Sequence, residues 1–410
     1  MSSGAHATST PGDLVRRARM FVVTMGVVSL FGDMSYEGAR GLVGPYLGLL
    51  GASAVAVSVS AGAGELAGYT LRLLTGWLAD RTRAHWPLTI LGYAVNLVVV
   101  PGLAFAGSWE VAVGMVIGER VGKAIRSPAR STLLSHAARR AGEGKSFGLE
   151  EALDQIGAVS GPLLTAAAIA LRSGRPPLAQ YRLAFLVLVL PAVVTLVLVL
   201  AARRAFPTPE DLEPPGPTEH VRLGSGFWLL VAASALVGLG FADWALVAFH
   251  AGRSGLVSLG LLPLLYAGAM GVDALAALAF GHAFDRRGPG VLALSCVVGA
   301  GAAPLVFLGG SVGALLAGAA LWAVAMGAQE SVYKAAVARL VSPSQRGRAF
   351  GLFFAVFGVA WFVGSAALGW LYEHARVAMV AFAVIPQLAA AAVFLRAMRA
   401  EARSSDRAQR

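Results

Sequence analysis

The chain has 410 residues, of which 57% are hydrophobic and only 13% charged, with a mean hydropathy of +0.70. Ordinary soluble domains carry about 25% charged residues, so this composition excludes a soluble globular protein and indicates one that crosses a bilayer many times. The single cysteine, Cys296, excludes an intrachain disulfide and a cysteine-based metal site, while the net charge of +11 is explained by topology and not by nucleic acid.

A membrane span needs about 20 mainly apolar residues. Twelve stretches qualify, at 20–49, 53–79, 87–107, 109–135, 146–171, 181–202, 226–250, 256–280, 289–309, 312–340, 348–372 and 376–398. Residues 1–19 are polar and lead into a full span without a small-residue cleavage site, so they are expected as an N-terminal tail and not a signal peptide. Residues 20–202 then form a first bundle of six helices. Residues 203–224, with PTPEDLEPPGPTEH at their centre, form a polar linker. Residues 225–398 form a second bundle of six, and 399–410 a C-terminal tail. Basic residues gather in the two tails and in every second loop, whereas the opposite loops carry only Arg172, Arg175, Arg182, Arg253 and Arg376. The positive-inside rule therefore places both termini in the cytoplasm, with the chain in the inner (cytoplasmic) membrane.

The first span holds Asp33, Glu37 and Arg40 on one helical face. The second holds Glu65 and Arg72 on one face. In the fourth, GERVGKAIRSPAR (118–130) sets Glu119, Lys123, Arg126 and Arg130 at steps of four, three and four, beside Arg120. The fifth opens with Glu150, Glu151 and Asp154, at the depth of Arg126 and Arg130. Asp243, Asp273, Glu330 and Lys334 follow in the seventh, eighth and tenth. Charge inside a bilayer is costly and faces a bundle interior or a wet cavity. Most of it lies in the first half, which is expected to carry the coupling chemistry while the second half supplies more of an apolar substrate wall. Arg126 or Arg130 is expected to pair with Glu150, Glu151 or Asp154 as an inner gate. Of 33 basic residues only Lys123, Lys145 and Lys334 are lysine. Lys123 and Lys334 each follow a glutamate by one turn, and that glutamate is expected to hold the lysine charged. A buried lysine, unlike arginine, can lose its proton.

The halves repeat. ERVGKA (119–124) matches ESVYKA (330–335), GWLADR (76–81) matches GHAFDR (281–286), and SFGL (146–149) matches AFGL (349–352), in the same order. Such a six-plus-six repeat with a polar central loop marks a transporter built from two packed halves. The G-x-x-x-D-R loops resemble motif A of the major facilitator superfamily, and the resemblance covers the whole chain. GAVSGP (157–162) resembles motif C, associated with the antiporter branch. In the fourth helix the family's R-x-x-Q-G becomes Arg120 followed by Lys123 and Ala124, a departure from the pattern. GDMSYEGAR (32–40) and GKAIRSPAR (122–130) look like a bacterial subgroup of efflux permeases.

The resemblance implies an all-α membrane protein of twelve transmembrane helices in two pseudo-symmetric six-helix bundles. It also implies that Gly76, Asp80 and Arg81, with Gly281, Asp285 and Arg286, act as cytoplasmic latches. Gly157, Gly161 and Pro162 form a small-residue packing face with a helix bend. The expected activity is proton-coupled export by antiport through alternating access. Proton carriers are sought among Asp33, Glu37, Glu65 and Glu119. The cationic residues Arg40, Arg72 and Lys123 favour an anionic or zwitterionic small-molecule substrate. The alternatives are a symporter importing an organic acid or sugar, a divalent-metal or metal-chelate exporter, and a non-transporting receptor. No nucleophile–base pair for an enzyme and no metal set is visible. GKS (144–146) lacks a P-loop's first glycine, since residue 139 is Arg. The expected partners are thus substrate, protons and lipid, with no cofactor and no nucleic acid, in a monomer.

Overall fold

The structure is a computed structural model that describes residues 11–209, 224–341 and 346–408. Among these it holds fifteen α-helices: α1 (Pro11–Leu49), α2 (Ala54–Thr82), α3 (His85–Gly102), α4 (Trp109–Ala141), α5 (Glu143–Ala170), α6 (Pro177–Val187), α7 (Val189–Ala205), α8 (Ser225–Gly240), α9 (Trp244–Ser254), α10 (Leu262–Arg287), α11 (Val291–Ala300), α12 (Ala302–Leu308), α13 (Val312–Leu340), α14 (Arg346–His374) and α15 (Arg376–Ala408). Three consecutive pairs, α6–α7, α8–α9 and α11–α12, each continue as one membrane-length rod. Among the described residues the fifteen helices thus form twelve rods, at the places of the twelve stretches read from the sequence.

Two of the breaks have the same cause. Proline removes a backbone donor and crowds the carbonyl four residues earlier. Pro191 and Pro304 do so to Val187 and Ala300, the last residues of α6 and α11. The third break, Phe241–Asp243, contains no proline. There Asp243 takes an extended backbone and its carboxylate accepts a hydrogen bond from the amide N–H of Ala245 at 2.9 Å. Asp243 is therefore the N-cap of a new helix, so the span read at 226–250 is one rod made of two helices and not one unbroken helix. By contrast α5 runs unbroken through Pro162. The ends also extend: α1 starts at Pro11 and α15 reaches Ala408, so helix continues into both stretches read as tails. Of the linker, 210–223 lies outside the described residues.

Nine rods are long and apolar enough to cross a membrane on composition alone. The three that fall short are α1, α2 and α4, the helices that carry most of the buried charge. Their membrane placement follows from packing inside the bundle. α1 packs on α5, α4 and α7, while α8 packs on α14 and α15 in the equivalent places. The halves meet along α2–α14 and α10–α5, two contacts that exchange when the halves are swapped, and along α1–α9. That exchange is the pseudo-twofold relation implied by the sequence repeat.

Gly157 and Gly161 show how the first bundle closes. A Cβ on Gly161 would press on the Met34 carbonyl and on Gly38 of α1, and one on Gly157 on the Leu30 carbonyl. The small-residue face of α5 is thus a backbone-to-backbone seam against α1. The tryptophans sort by position: Trp77, Trp228 and Trp370 are exposed on the outer surface, whereas Trp244, Trp322 and Trp361 are buried.

Candidate functional site: a charged cavity between the two bundles

Between the bundles lies a cavity of about 320 Å³. From α1 come Asp33, Glu37 and Arg40, at the spacing that shares one face. Glu65 and Arg72 come from α2, Arg120, Lys123, Arg126 and Arg130 from α4, and Glu151 and Asp154 from α5. Across from them α10, α13 and α14 contribute Asp273 and Glu330 together with Met270, Trp322, Met326, Gln329, Tyr333, Phe354, Phe357 and Trp361. One wall is strongly ionic and the other mainly aromatic, which is the division the sequence implied. The Lys334 side chain lies outside the described residues.

Tyr36, unforeseen from the sequence, is the hub of the ionic wall. Its hydroxyl accepts hydrogen bonds from Arg120 and, at 3.3 Å, from Arg40. The Lys123 ammonium sits 3.8 Å above the centre of its ring. Arg120 also meets Glu65 at 3.0 Å and Glu119 at 3.6 Å. Arg40 stands among three carboxylates, Glu37 and Glu65 at 3.7 Å and Asp243 at 3.8 Å. Glu37 in turn accepts from the Tyr266 hydroxyl of α10. Buried charges persist when paired and hydrogen-bonded; Arg120 is held both ways, whereas Arg40 has ion-pair contacts and the Tyr36 hydroxyl but a buried Nε without a hydrogen-bond partner.

One expectation needs revision. Glu119 does not hold Lys123. It is buried off the cavity, beside a small void shared with Arg40 and Asp243, and its ion-pair partner is Arg120. Arg120 takes its place on the cavity face, since a long side chain reaches across the helix surface where the shorter glutamate cannot. Among the inner charges the expected pairing forms through Arg130. Arg130 pairs with Glu150 at 2.5 Å and with Asp154 at 3.8 Å, and donates to Ser29. Arg126 instead faces Asp33 at 3.9 Å and stacks over Tyr93. These pairs lie wholly within the first bundle and do not cross between halves. Among the described residues a polar link between the halves here is Gln155, which donates to both Glu151 and Asp273 at 3.4 Å.

At the ends of α2 and α10, Arg81 lies over the Trp77 ring at 5.4 Å, and Gly76 packs towards Pro128 of α4. Asp285 and Arg286 are exposed, and a Cβ on Gly281 would meet open space. The Asp80 side chain lies outside the described residues. At the opposite end of the molecule three close contacts join the halves. Glu373 of α14 accepts from the Ala54 N–H of α2 at 2.8 Å, the Tyr181 hydroxyl donates to the Leu259 carbonyl at 2.8 Å, and Gly44 of α1 abuts the backbone of Ala245 in α9. Among the described residues no group of three or more His, Cys, Asp or Glu is placed to hold a metal ion.

A signal for Tyr36 existed in the sequence: it lies three residues after Asp33 and four before Arg40, on the charged face of α1. Gln155, four residues after Glu151 on the charged face of α5, carried the same kind of signal, whereas Tyr266 and Glu373 lie outside the charged stripes and gave none.

The family model of the Major Facilitator Superfamily matches residues 22–272 and 247–410. The chain belongs to the Major Facilitator Superfamily. An uncharacterized protein of Mycobacterium tuberculosis is 41% identical over 360 residues, covering 86% of this chain and 87% of that one. An uncharacterized MFS-type transporter of Methanocaldococcus jannaschii is 28% identical over 144 residues, 35% of this chain and 36% of that one. Among solved structures, a bacterial homolog of the human lysosomal transporter Spinster, inward-facing and unoccupied, superposes with a TM-score of 0.70 at 15% identity, covering 93% of this chain and 98% of that one. A peptide transporter POT variant in complex with alafosfalin gives 0.72 at 15% identity, covering 93% and 94%. The nucleoside transporter NupG gives 0.70 at 14%, covering 91% and 99%. These structural likenesses establish the fold. Fold and family together make this superfamily member a multi-pass secondary transporter of a small molecule.

Proposed function

We propose that this transporter exports a small anionic or zwitterionic solute in exchange for protons, by rocking its two bundles about the central cavity. The observation that carries the reading is the pair Lys123 and Arg72. Both line the cavity, and among the described residues neither has a carboxylate within ion-pair distance. Each rests instead on a tyrosine ring, Lys123 on Tyr36 and Arg72 on Tyr69 at 5.2 Å. A desolvated cation left in this way is a binding site for an anionic group. The acids Asp273 and Glu330 on the facing wall suit the cationic end of a zwitterion.

Asp33, Glu37 and Glu65 touch the same cavity and are within reach of arginines. A proton arriving at one of them releases an arginine, and that exchange links proton movement to the bundle interface. The motif C resemblance favours antiport and export, from an inner membrane with both termini in the cytoplasm and the chain acting as a monomer. The latch roles of the G-x-x-x-D-R motifs and the gating roles of Arg126, Arg130, Glu150, Glu151 and Asp154 belong to the same proposal.

The test is a set of proteoliposomes with an imposed pH gradient, offered panels of anionic, zwitterionic, neutral and cationic solutes. Proton flux evoked by anions or zwitterions, and abolished by Lys123→Gln with Arg72→Gln, is the expected result. Proton flux evoked by lipophilic cations alone would overturn it.

A further inference from the structure

The side of the α6–α7 rod turned away from the bundle carries a continuous apolar strip. Leu186, Leu190, Val193, Val197 and Leu200 are all exposed, Leu190 by 65% and Val197 by 59%. Their steps of four, three, four and three keep them on one helical face. The strip ends at Arg203 and Arg204, in the last turn of α7. A third arginine arrives there from elsewhere in the chain: Arg83, in the short turn between α2 and α3, held in a left-handed conformation at φ 51°.

These three arginines, with Leu200, Trp86 and Pro207, line a concave surface of about 660 Å³. Its floor is fixed, because the Trp86 indole N–H donates to the Phe206 carbonyl at 3.1 Å and its ring meets Phe21 edge-on. Among the described residues none of the three arginines has a carboxylate within ion-pair distance. The negative end of the α7 dipole accounts for two arginines at that helix's last turn. It gives no reason for Arg83, which enters from a different helix pair and closes the concavity.

An apolar strip of acyl-chain character that runs straight into a three-arginine pocket has the pattern of a phospholipid. Guanidinium groups bind phosphate oxygens through charge-assisted, often bidentate hydrogen bonds. Basic pockets between helices at the membrane boundary select anionic headgroups. A free anion would use the pocket and leave the strip bare. We propose that this pocket binds the phosphate headgroup of an anionic phospholipid, with an acyl chain along α6–α7, in the leaflet that the positive-inside distribution makes cytoplasmic. This site is separate from the central cavity and does not depend on the proposed substrate.

The experiment is native mass spectrometry of the full chain titrated with phosphatidylglycerol or phosphatidylcholine. The wild type is compared with Arg83→Gln/Arg203→Gln/Arg204→Gln and with a charge-matched control, Arg16→Gln/Arg17→Gln/Arg396→Gln. Wild type is expected to hold phosphatidylglycerol over phosphatidylcholine, the pocket variant to lose that preference about 100-fold, and the control to keep it. Equal occupancy of the two lipids on wild type would overturn the assignment, as would equal losses in the two variants. Inorganic phosphate at millimolar concentration provides the other arm. Full displacement of the lipid by phosphate would make this a free-phosphate site and overturn the lipid assignment, whereas retained lipid supports it.

Discussion

The Lys123 ammonium lies 3.8 Å above the ring whose hydroxyl, that of Tyr36, collects hydrogen bonds from Arg120 and Arg40. One tyrosine thus gathers three cations, and the surrounding carboxylates pair with two of them. The third faces the cavity. A cation–π contact in a desolvated place contributes about 2 kcal/mol. That is enough to seat an ammonium but much less than an ion pair with a substrate carboxylate can add in the same surroundings.

Replacing Lys123 separates charge from shape. Lys123→Gln removes the charge, and the apparent KM for an anionic substrate is expected to rise at least tenfold in vesicle uptake. Lys123→Arg keeps the charge but brings a planar group to a ring where the Arg120 guanidinium already lies 5.0 Å from the centroid. Its turnover is expected to fall and its pH profile to shift. Wild-type activity of Lys123→Arg at every pH would remove the requirement for a compact, removable charge.

Tyr36→Phe keeps the ring under Lys123 and deletes the acceptor of two buried arginines. Leaving a buried donor unsatisfied costs about 1–3 kcal/mol. A lower thermal midpoint is therefore expected, with a KM change smaller than that of Lys123→Gln. A Tyr36→Phe protein as stable as wild type would show that Glu65 and Glu37 alone satisfy Arg120 and Arg40.

Asp243 does two things at once. One carboxylate oxygen caps α9 through the Ala245 N–H, and the other faces Arg40 across the bundle interface. Asparagine caps a helix as well as aspartate does, whereas alanine does not, at a cost of about 1 kcal/mol. Asp243→Asn should therefore retain stability and lose only the charge contact to Arg40, seen as altered proton coupling. Asp243→Ala should be less stable than Asp243→Asn in thermal unfolding. Equal midpoints for the two variants would remove the capping role.

These residues show which parts of the architecture could be read from the chain alone. Twelve spans, two repeated halves and the ionic character of one wall follow from hydropathy, internal repeats and helical spacing, all of which are local or periodic signals. Asp33, Glu37 and Arg40 reach the cavity together because a single helix face carries them. Pairings between helices carry no such signal. Glu119 and Lys123 have the spacing of an ion pair, yet Arg120 takes Glu119 and leaves Lys123 to Tyr36. The break at Phe241–Asp243 was hidden in an apolar run without proline, and its cap becomes recognisable only once the backbone is seen to turn. Arg130 and Glu150 are the exception: they do meet, as their matched depth and opposite sign on neighbouring helices of one half implied.

Two glycines give opposite expectations. On Gly161 a methyl group would strike the Met34 carbonyl and Gly38, where α5 and α1 meet backbone to backbone. Neither helix can give without parting the seam, so Gly161→Ala is expected to destabilise by about 1–3 kcal/mol, read as a lower thermal midpoint or a failure to fold. Gly281 opens the second G-x-x-x-D-R motif, which the structure places in the last two turns of α10 and not in a loop, and a methyl group there meets nothing within 4 Å. In a helix interior alanine is favoured over glycine by about 1 kcal/mol, so Gly281→Ala should be at least as stable as wild type. If the motif is a latch that closes in the alternate state, the glycine is needed for an approach absent from this one. Transport should then slow at least fivefold with the thermal midpoint unchanged. Wild-type turnover in Gly281→Ala would reduce this motif to an ordinary helix end, and the proposed latch would rest on the Asp80 and Arg81 motif alone.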